Sequence, residues 1–230
     1  MSAALSKLVR EDLLHLDGIR KYAPARRTSV LFTADSLSDS VLFVESGYVK
    51  LHKQDGDGKG VVIGIVGSGQ LAGEEALFVG GARQFSAEVI QEGVVYEIPR
   101  ELFLGFCAAK PELWRHLAET FAKRQRELQL RVSLLCLYDV ESRILHYLVN
   151  LALLFNHSAG AGQEYSIPLT QGEVAGIVGA TRETTSTTLN ALARQGLVRL
   201  GRRQLTIVSV DALQALIDQR SSKARGAAGG

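Results

Sequence analysis

The stretch from residue 170 to residue 200 constrains the fold more than any other part of the chain. Thr170 and Glu173 have the S/T-x-x-E spacing of a capping box, which predicts that a helix starts here. Gly179 supplies the permissive backbone that ends a short helix in a tight turn, and Thr181 can cap a second helix that stops at Gly196. Two short helices joined by such a turn predict a helix-turn-helix, whose second helix can enter the DNA major groove.

The predicted second helix carries polar side chains near its N-terminal end, where base edges are contacted. Arg182 can bind guanine O6 and N7, and Glu183 can accept from cytosine N4. After Gly196, two β-rich runs flank Gly201-Arg202-Arg203, which predicts a hairpin wing with arginines for phosphate at its tip. The predicted DNA-contact residues are Thr170, Gln171, Thr181, Arg182, Glu183, Ser186, Thr187, Arg202 and Arg203.

The run G-E-V-A-G-I-V-G-A-T-R-E-T-T-S-T-T-L resembles the helix-turn-helix of the CRP/FNR family of bacterial transcription regulators. The family motif is E-I-x-x-x-[IL]-G-x-[ST]-R-E-T-V-[GS]-R-x-L, and the resemblance continues into the wing. Thr185 and Thr188 stand where the family usually has aliphatic residues, and Thr keeps a methyl group for packing. Thr187 stands where the family usually has a base-reading Arg, so the family's operator sequence does not carry over.

Composition places the chain among soluble globular proteins, with 46% apolar and 22% charged residues in a length of 230. The N-terminal run lacks an apolar segment of the signal-peptide kind and no stretch is long enough to span a membrane, so we expect a cytoplasmic protein with no membrane partner. Cys107 and Cys136 fit free thiols in a reducing compartment better than a disulfide framework.

The formal charge of +2 is distributed unevenly along the chain. Residues 170–230 contain eight Lys/Arg and four Asp/Glu, a net charge of +4, which leaves −2 for the remainder. This asymmetry is expected when one domain contacts phosphate and the other does not, although an ordinary solvated surface explains the charge equally well.

The N-terminal half predicts one short amphipathic helix, from Leu5 to about Ile19, followed by strand-like runs. Turn clusters such as Asp35-Ser36 and residues 55–58 separate the runs at spacings that predict an antiparallel β-barrel or jelly roll. Residues 40–97, which include V-E-S-G-Y-V-K-L, resemble the cyclic-nucleotide-binding-like barrel of the same family.

The predicted fold class is therefore α+β, with an N-terminal antiparallel β-barrel or jelly roll, a long dimerisation helix and a C-terminal winged helix-turn-helix. The predicted boundaries are 1–110 for the sensor barrel, 111–138 for the helix, 139–222 for the DNA-binding domain and 223–230 for a disordered tail. A polar loop is predicted at residues 156–163.

A dinucleotide-type fingerprint, G-x-G-x-x-A, occurs within V-V-I-G-I-V-G-S-G-Q-L-A at residues 61–72. A Rossmann unit needs a crossover helix directly afterwards, and Gly73, Gly80 and Gly81 leave fewer than ten residues for one. We therefore expect the barrel and not a dinucleotide site.

The family resemblance implies a phosphate-binding cassette in L-A-G-E-E-A-L-F-V-G-G-A-R-Q-F-S-A-E-V. Phe85 replaces the cassette arginine and the loop has one extra residue, so Arg83 can substitute only if the loop shifts register. The family's adenine-reading Thr-Ser pair aligns with Leu128 and Gln129. Losing the bidentate partner of a phosphate is costly, so cyclic AMP is not the expected effector. The implied effector-pocket residues are Gly73, Glu74, Arg83, Phe85, Ser86, Leu128 and Gln129.

Other effectors of the family depend on different ligands. An oxygen-sensing iron–sulfur cluster is not expected, because no cysteine precedes Cys107. Haem stays open as a cofactor, with the candidate axial ligands His15, His52, His116, His146 and His157. A small organic ligand in an apolar pocket is equally open. We find no metal-ligand spacing and no nucleophile–base pair, and expect no enzyme.

A long helix is predicted to begin after Pro111 and to run to about Leu137. Its apolar residues fall at steps of 4, 4, 7, 4 and 3, a coiled-coil-like pattern made by Leu113, Leu117, Phe121, Leu128, Val132 and Leu135. Burial against the chain's own barrel is the alternative to a partner helix.

The resemblance implies that this helix forms a two-fold homodimer interface, which a palindromic operator in double-stranded DNA requires. RNA polymerase is a further expected partner if the protein is an activator. The alternative function is a regulatory or scaffold module that does not bind DNA.

Overall fold

The computed structural model describes residues 3–55, 60–154 and 164–228, which form two compact units. Unit 1 extends to Leu130, and unit 2 begins at Arg131. The division falls within one continuous helix, so that helix contributes residues to both units.

Unit 1 is an antiparallel sheet flanked by helices. Its elements are α1 (Ala3–Leu8), a π-helical turn (Val9–Leu13), β1 (Arg20–Ala25), β2 (Val30–Phe32), β3 (Ser40–Gln54), β4 (Gly60–Val66), β5 (Gln70–Ala72), a 3₁₀ turn (Glu74–Leu77), β6 (Ser86–Pro99), α2 (Arg100–Ala109) and α3 (Glu112–Leu137). The predicted first helix is shorter than expected, because regular helical structure stops at Leu13 and not near Ile19. The turn predicted at residues 55–58 lies largely outside the described residues.

The sheet has the strand order β1-β6-β3-β4, with β2 paired to β6 and β5 paired to β3. Every pairing is antiparallel, which confirms the predicted class, although the hydrogen-bonded path described here is open and not closed into a barrel. The register between β3 and β6 shifts between Val44 and Val49, and at Gly93 the strands approach so closely that a Cβ would lie 2.1 Å from the carbonyl oxygen of Ser46. The fingerprint run forms β4 and β5 without a crossover helix, so the Rossmann alternative is excluded as predicted.

Both faces of the sheet bury apolar side chains. Val41 and Phe43 of β3 point into one cluster with α2 and α3, whereas Leu42 and Val44 belong to a second cluster on the opposite face. Burial on both sides explains why residues 41–44 of β3 are a continuous apolar run.

Unit 2 contains the end of α3 followed by a small helical domain with a three-stranded sheet. The elements are α4 (Val140–Leu154), β7 (Tyr165–Ile167), α5 (Gln171–Val178), α6 (Arg182–Arg194), β8 (Val198–Gly201), β9 (Gln204–Ile207) and α7 (Val210–Ala228). The antiparallel strand order is β7-β9-β8. The predicted polar loop at residues 156–163 lies outside the described residues.

The prediction of a disordered tail from residue 223 is wrong for the backbone up to Ala228, because α7 continues to that residue. The run S-S-K-A-R-G-A-A is rich in alanine and basic residues, which are good helix formers and extend a helix that has already nucleated.

The helix boundaries of the helix-turn-helix follow from local hydrogen bonds. Thr170 Oγ1 accepts from the Glu173 amide at 3.1 Å, and Glu173 Oε2 accepts from the Thr170 amide at 2.7 Å. Gly179 ends α5 with φ 65°, and Thr181 Oγ1 accepts from the Thr184 amide at 3.2 Å to cap α6. These bonds satisfy amides that have no partner within the helix, and they confirm the predicted capping box and turn.

We expect Thr170→Ala to lower the free energy of unfolding of unit 2 by about 1–2 kcal/mol, because the variant loses the hydroxyl that accepts from the Glu173 amide and donates to the Glu173 carboxylate. The measurement is hydrogen exchange of the slowest amides of unit 2. Thr187→Ala, at an exposed position of α6, is the matched control and should be neutral or slightly stabilising. Equal effects of the two variants would contradict the capping role.

Candidate functional site

The exposed face of α6 carries the predicted base-reading residues. Arg182, Glu183 and Thr187 are exposed and Ser186 is partly exposed. On the opposite face Thr185 is fully buried with Leu189 and Leu192, so the Thr at a usually aliphatic position does pack into the core. The helix therefore presents a polar stripe to solvent while its other face anchors it to unit 2.

Two residues further along the same stripe were missed from the sequence. Asn190 and Arg194 follow Glu183 and Thr187 at steps of three and four, and both are exposed. They line an open groove of about 550 Å³ with Thr187 and Ala193. Asn190 Nδ2 donates to the Ser186 carbonyl at 2.8 Å, which orients its amide. Extending the helical spacing beyond Thr187 is the signal that identifies this pair.

The N-terminal residues of the helix-turn-helix have different environments. The Thr170 hydroxyl accepts from the Glu173 amide and donates to Glu173 Oε2 at 2.9 Å, so the cap uses its hydrogen-bonding capacity. Gln171 is partly exposed, and Thr181 is exposed at the cap of α6. The Thr181 hydroxyl is likewise used in its cap, so Gln171 is the one of these three residues that does not cap a helix.

The wing forms as predicted. Strands β8 and β9 are joined through Arg202 and Arg203, which are both exposed, and Arg203 adopts φ 62° to make the tight connection. Arg199 on β8 is instead paired with Glu164, since its Nη1 donates to Glu164 Oε1 at 2.7 Å. The tip arginines therefore provide the exposed positive charge of the hairpin.

In unit 1, the residues of the implied effector pocket surround a left-handed glycine. Gly73 has φ 74° and precedes Glu74, whose buried carboxylate forms an ion pair with Arg124 of α3. Ser86 Oγ accepts from the Ala34 amide at 2.9 Å, and Phe85 packs against the second apolar cluster and Phe32. Leu128 and Gln129, two residues of the same prediction, are exposed side chains on α3.

Arg83 lies at the centre of this site. It is only 2% exposed, and its Nη2 donates to the Ser40 carbonyl at 2.6 Å and to Ser40 Oγ at 3.1 Å. Its guanidinium lies 3.9 Å from the centroid of the Phe32 ring, and a Cβ added to Gly73 would lie 2.4 Å from its Nη1. The loop thus brings Arg83 to the cassette glycine, which the sequence alignment allowed only for a shifted loop.

The charge of Arg83 is incompletely satisfied. Its Nε and Nη1 are buried and have no hydrogen-bond partner among the described residues, and burial lowers the pKa of its guanidinium. The Ser40 hydroxyl donates in turn to Glu97 Oε1 at 3.0 Å and so links Arg83 to a carboxylate. Burial also raises the pKa of the neighbouring Glu75. Two buried donors without acceptors favour the binding of an anionic group.

Helix α3 has two apolar stripes on different faces. The predicted dimer interface contains residues from both stripes. Leu113 and Leu117 are buried in the core of unit 1, so they are not available to a partner and their assignment to a dimer interface is wrong. The physical reason is that the outward-facing stripe begins one residue later than Leu113, the residue at which the predicted stripe begins. The outward stripe, called the outer seam below, instead begins at Trp114 and has a seven-residue spacing: Trp114, Phe121, Leu128 and Leu135, with Val132 between the last two.

The outer seam is exposed along most of its length. Leu128 is 50% exposed, and Val132 and Leu135 are also exposed, whereas Phe121 is partly buried. Phe78 packs edge-on against Trp114 and Phe121, with ring centroids 5.9 and 5.3 Å away. An apolar heptad stripe left in solvent is typical of a helix that pairs with another helix.

The candidate haem ligands have other partners or positions. His52 Nε2 lies 3.5 Å from Glu88 Oε2, and His116 Nδ1 lies 3.6 Å from Glu119 Oε2. The His146 ring packs edge-on against Tyr138, and His15 is exposed. His157 lies outside the described residues.

The cysteines, the possible metal ligands and the hydropathy of the helices were compared with the predictions. Cys107 and Cys136 are free thiols, and burial raises the pKa of Cys107 to about 11. Within residues 3–55, 60–154 and 164–228, no cluster of three or more His, Cys, Asp or Glu could hold a metal ion. No helix in that part of the chain is long and apolar enough to cross a membrane.

Comparisons with known proteins identify both parts of the chain. A cyclic nucleotide-binding domain model matches residues 24–110, and a Crp-like helix-turn-helix domain model matches residues 142–216. A CRP-like cAMP-activated global transcriptional regulator of Mycobacterium tuberculosis is 30% identical over 181 residues, which cover 79% of this chain and 81% of the relative.

Other similarities extend over more of the chain. The fumarate and nitrate reduction regulatory protein of Salmonella typhimurium is 26% identical over 210 residues, 91% of this chain and 84% of the relative. The structure of FixK2 from Bradyrhizobium japonicum superposes with a TM-score of 0.72 at 23% identity, covering 86% of this chain and 96% of that chain. This last similarity concerns the fold alone.

We expect Arg182→Ala and Glu183→Ala each to lower affinity for the selected operator by about 1–3 kcal/mol with little change on random DNA, because base contacts discriminate sequences. Arg202→Ala should weaken binding to both DNAs alike and reduce the salt slope by about one. Gel-shift titrations at several salt concentrations measure both effects.

The charge control is Arg26→Ala, which removes one exposed arginine of unit 1 and should leave both affinities unchanged. Equal loss on operator and random DNA for the Arg182 and Glu183 variants would assign these residues to phosphate contacts instead.

Proposed function

Because this chain belongs to the CRP/FNR family of transcription regulators, we propose that it is a homodimeric, sequence-specific DNA-binding regulator controlled by an effector at unit 1. The observation that carries the proposal is the exposed polar stripe of α6, held by caps at both helices and accompanied by two exposed wing arginines. Base readout and phosphate contact need these two surfaces together.

The charge distribution supports the same proposal. The net charge of +4 lies in residues 170–230, which contain the recognition helix and the wing. Exposed arginines on both the recognition helix and the wing are what contact with DNA phosphate and bases requires. Selection of binding sites from a random DNA pool, followed by titration at several salt concentrations, tests the proposal. Absence of any salt-dependent binding would favour the scaffold alternative.

The homodimer part of the proposal rests on the outer seam. An α3 helix that pairs with its copy across a two-fold axis would bury Leu128, Val132 and Leu135 and would present two recognition helices to a palindrome. RNA polymerase enters the proposal only for an activator, which transcription in vitro from an operator-bearing promoter would test.

We expect Leu128→Glu to shift the protein from dimer to monomer, because two like charges would meet across the seam. Leu130→Glu is a closely matched control, since Leu130 lies on the same helix, is 47% exposed and is off the seam. Sedimentation velocity measures both variants. Monomer formation by both, or by neither, would remove the outer seam from the interface.

The effector part of the proposal places an anionic group at Arg83 and excludes cyclic AMP. An acceptor beside Gly73 would satisfy Nε and Nη1 of Arg83, which have no partner among the described residues. Phe85 occupies the sequence position of the family's phosphate arginine, and Leu128 that of its polar base contact. A small organic anion fits this combination better than an adenine nucleotide. The surroundings of the described histidines give haem no support.

We expect cyclic AMP at about 1 mM to leave the melting temperature and the DNA affinity unchanged. At this concentration even a ligand with a dissociation constant of about 1 mM would stabilise the protein measurably. A ligand that does not bind shifts neither equilibrium. Differential scanning fluorimetry and gel shifts measure the two quantities. A stabilisation by cyclic AMP that disappears in Arg83→Ala would show that Arg83 replaces the family arginine for this nucleotide, and the exclusion would be wrong.

A further inference from the structure

Two arginines from different helices bind the C-terminal end of α5. Arg131, near the end of α3, donates from Nη2 to the Ile177 carbonyl at 2.7 Å. Arg143 of α4 donates from Nη1 to the Val178 carbonyl at 2.8 Å and to the Gly179 carbonyl at 3.3 Å. Three consecutive carbonyls at the turn of the helix-turn-helix are thus held by side chains from outside it.

These bonds satisfy a physical requirement of the helix end. The last carbonyls of a helix have no intrahelical partner, and cations near them interact favourably with the helix dipole. The arginines therefore hold the backbone where the chain leaves α5 toward α6. Arg131 lies beside the partly buried Tyr147, and burial lowers the pKa of the Arg131 guanidinium.

A third contact joins the same turn to the outer seam. A Cβ added to Gly179 would lie 2.9 Å from Leu135 Cδ2, so the Leu135 side chain packs directly on the glycine backbone. Leu135 is also the last leucine of the outer seam, with 43% of its surface exposed. Leu135 therefore both contacts the α5–α6 turn and contributes to the proposed dimer surface. Arg131, one helical turn earlier in α3, binds the end of α5.

We infer that Arg131 and Arg143 are positioning residues for DNA recognition, which hold the α5–α6 turn to the end of α3 and thereby set the separation of the two recognition helices. This inference rests on the proposed function, since it assumes a dimer that binds DNA. In such a dimer, Arg131 and Leu135 connect the paired α3 helix directly to the α5–α6 turn, since both side chains contact it.

The inference predicts spacing selectivity, which a simple contribution to stability does not. A palindrome is bound well only if its half-sites match the separation of the two recognition helices. A single half-site needs one recognition helix and is insensitive to that separation. Loosening the turn should therefore weaken the palindrome more than the half-site, and should blur the preference for one spacing.

The experiment compares Arg131→Gln and Arg143→Gln with wild type on three DNAs. These are a palindrome selected from a random pool by the wild-type protein, the same palindrome with one base pair inserted between half-sites, and a single half-site. Both variants should lose about tenfold on the palindrome, the effect of one charge-assisted hydrogen bond, with a smaller change on the half-site. The ratio between the two palindrome spacings should fall.

Controls separate positioning from charge and folding. Arg126→Gln removes a positive charge from an exposed position of the same helix and should leave the spacing ratio unchanged. Arg131→Lys keeps a donor for the Ile177 carbonyl and should restore part of the ratio. Two independent arginines are tested so that poor folding of one variant leaves the other informative.

The outcomes are distinct. An unchanged spacing ratio in folded, dimeric Arg131→Gln and Arg143→Gln overturns the inference. Equal losses on all three DNAs also overturn it, because they indicate a stabilising role only. A wild-type protein that binds no DNA, or that binds half-sites and palindromes alike, contradicts the proposed function itself.

Discussion

Helix α3 carries two apolar stripes on different faces, one buried in the core of unit 1 and one exposed, and the rest of the structure depends on this division. Leu113 and Leu117 complete the core of unit 1 together with α2 and β3. The outer seam faces away from that core, and its exposed leucines are apolar surface that a partner helix can cover. The same helix ends in unit 2, where Arg131 and Leu135 contact the turn of the helix-turn-helix.

A second constraint acts in unit 1, where a guanidinium is buried without a full set of acceptors. Arg83 donates to Ser40, whose hydroxyl is linked in turn to Glu97, and the neighbouring carboxylates Glu75 and Asp39 also interact with its charge. Burying a charge in this way costs free energy unless a further acceptor is supplied. A binding site is one place where a protein retains such a cost, because the ligand relieves it.

Local interactions made the DNA-binding part readable from sequence. The Thr170–Glu173 capping box, the left-handed Gly179 and the Thr181 cap depend on neighbours within a few residues, so their signals survive without tertiary information. Asn190 and Arg194 continue the same stripe of α6 at helical spacing, one turn beyond the predicted contact residues. The antiparallel class of unit 1 followed from strand spacing, whereas its open strand path did not.

The burial of the residues of the long helix could not be predicted from the sequence alone. Its period predicts a helix, but Leu113 and Trp114 are both apolar, and periodicity alone does not say which stripe faces the chain's own core. The end of α7 was misjudged in a similar way, because composition suggested a tail where an existing helix continues through Ala228.

By itself, the sequence determined the family, the helix-turn-helix, the wing and the antiparallel strands, since caps, glycine turns and alternation are short-range effects. Only the tertiary structure decided that Leu117 is core while Leu128 is surface, that Arg83 reaches Gly73, and that Arg131 holds the end of α5. Each of these depends on contacts between residues distant in the chain, and such contacts are set by packing and not by local pattern.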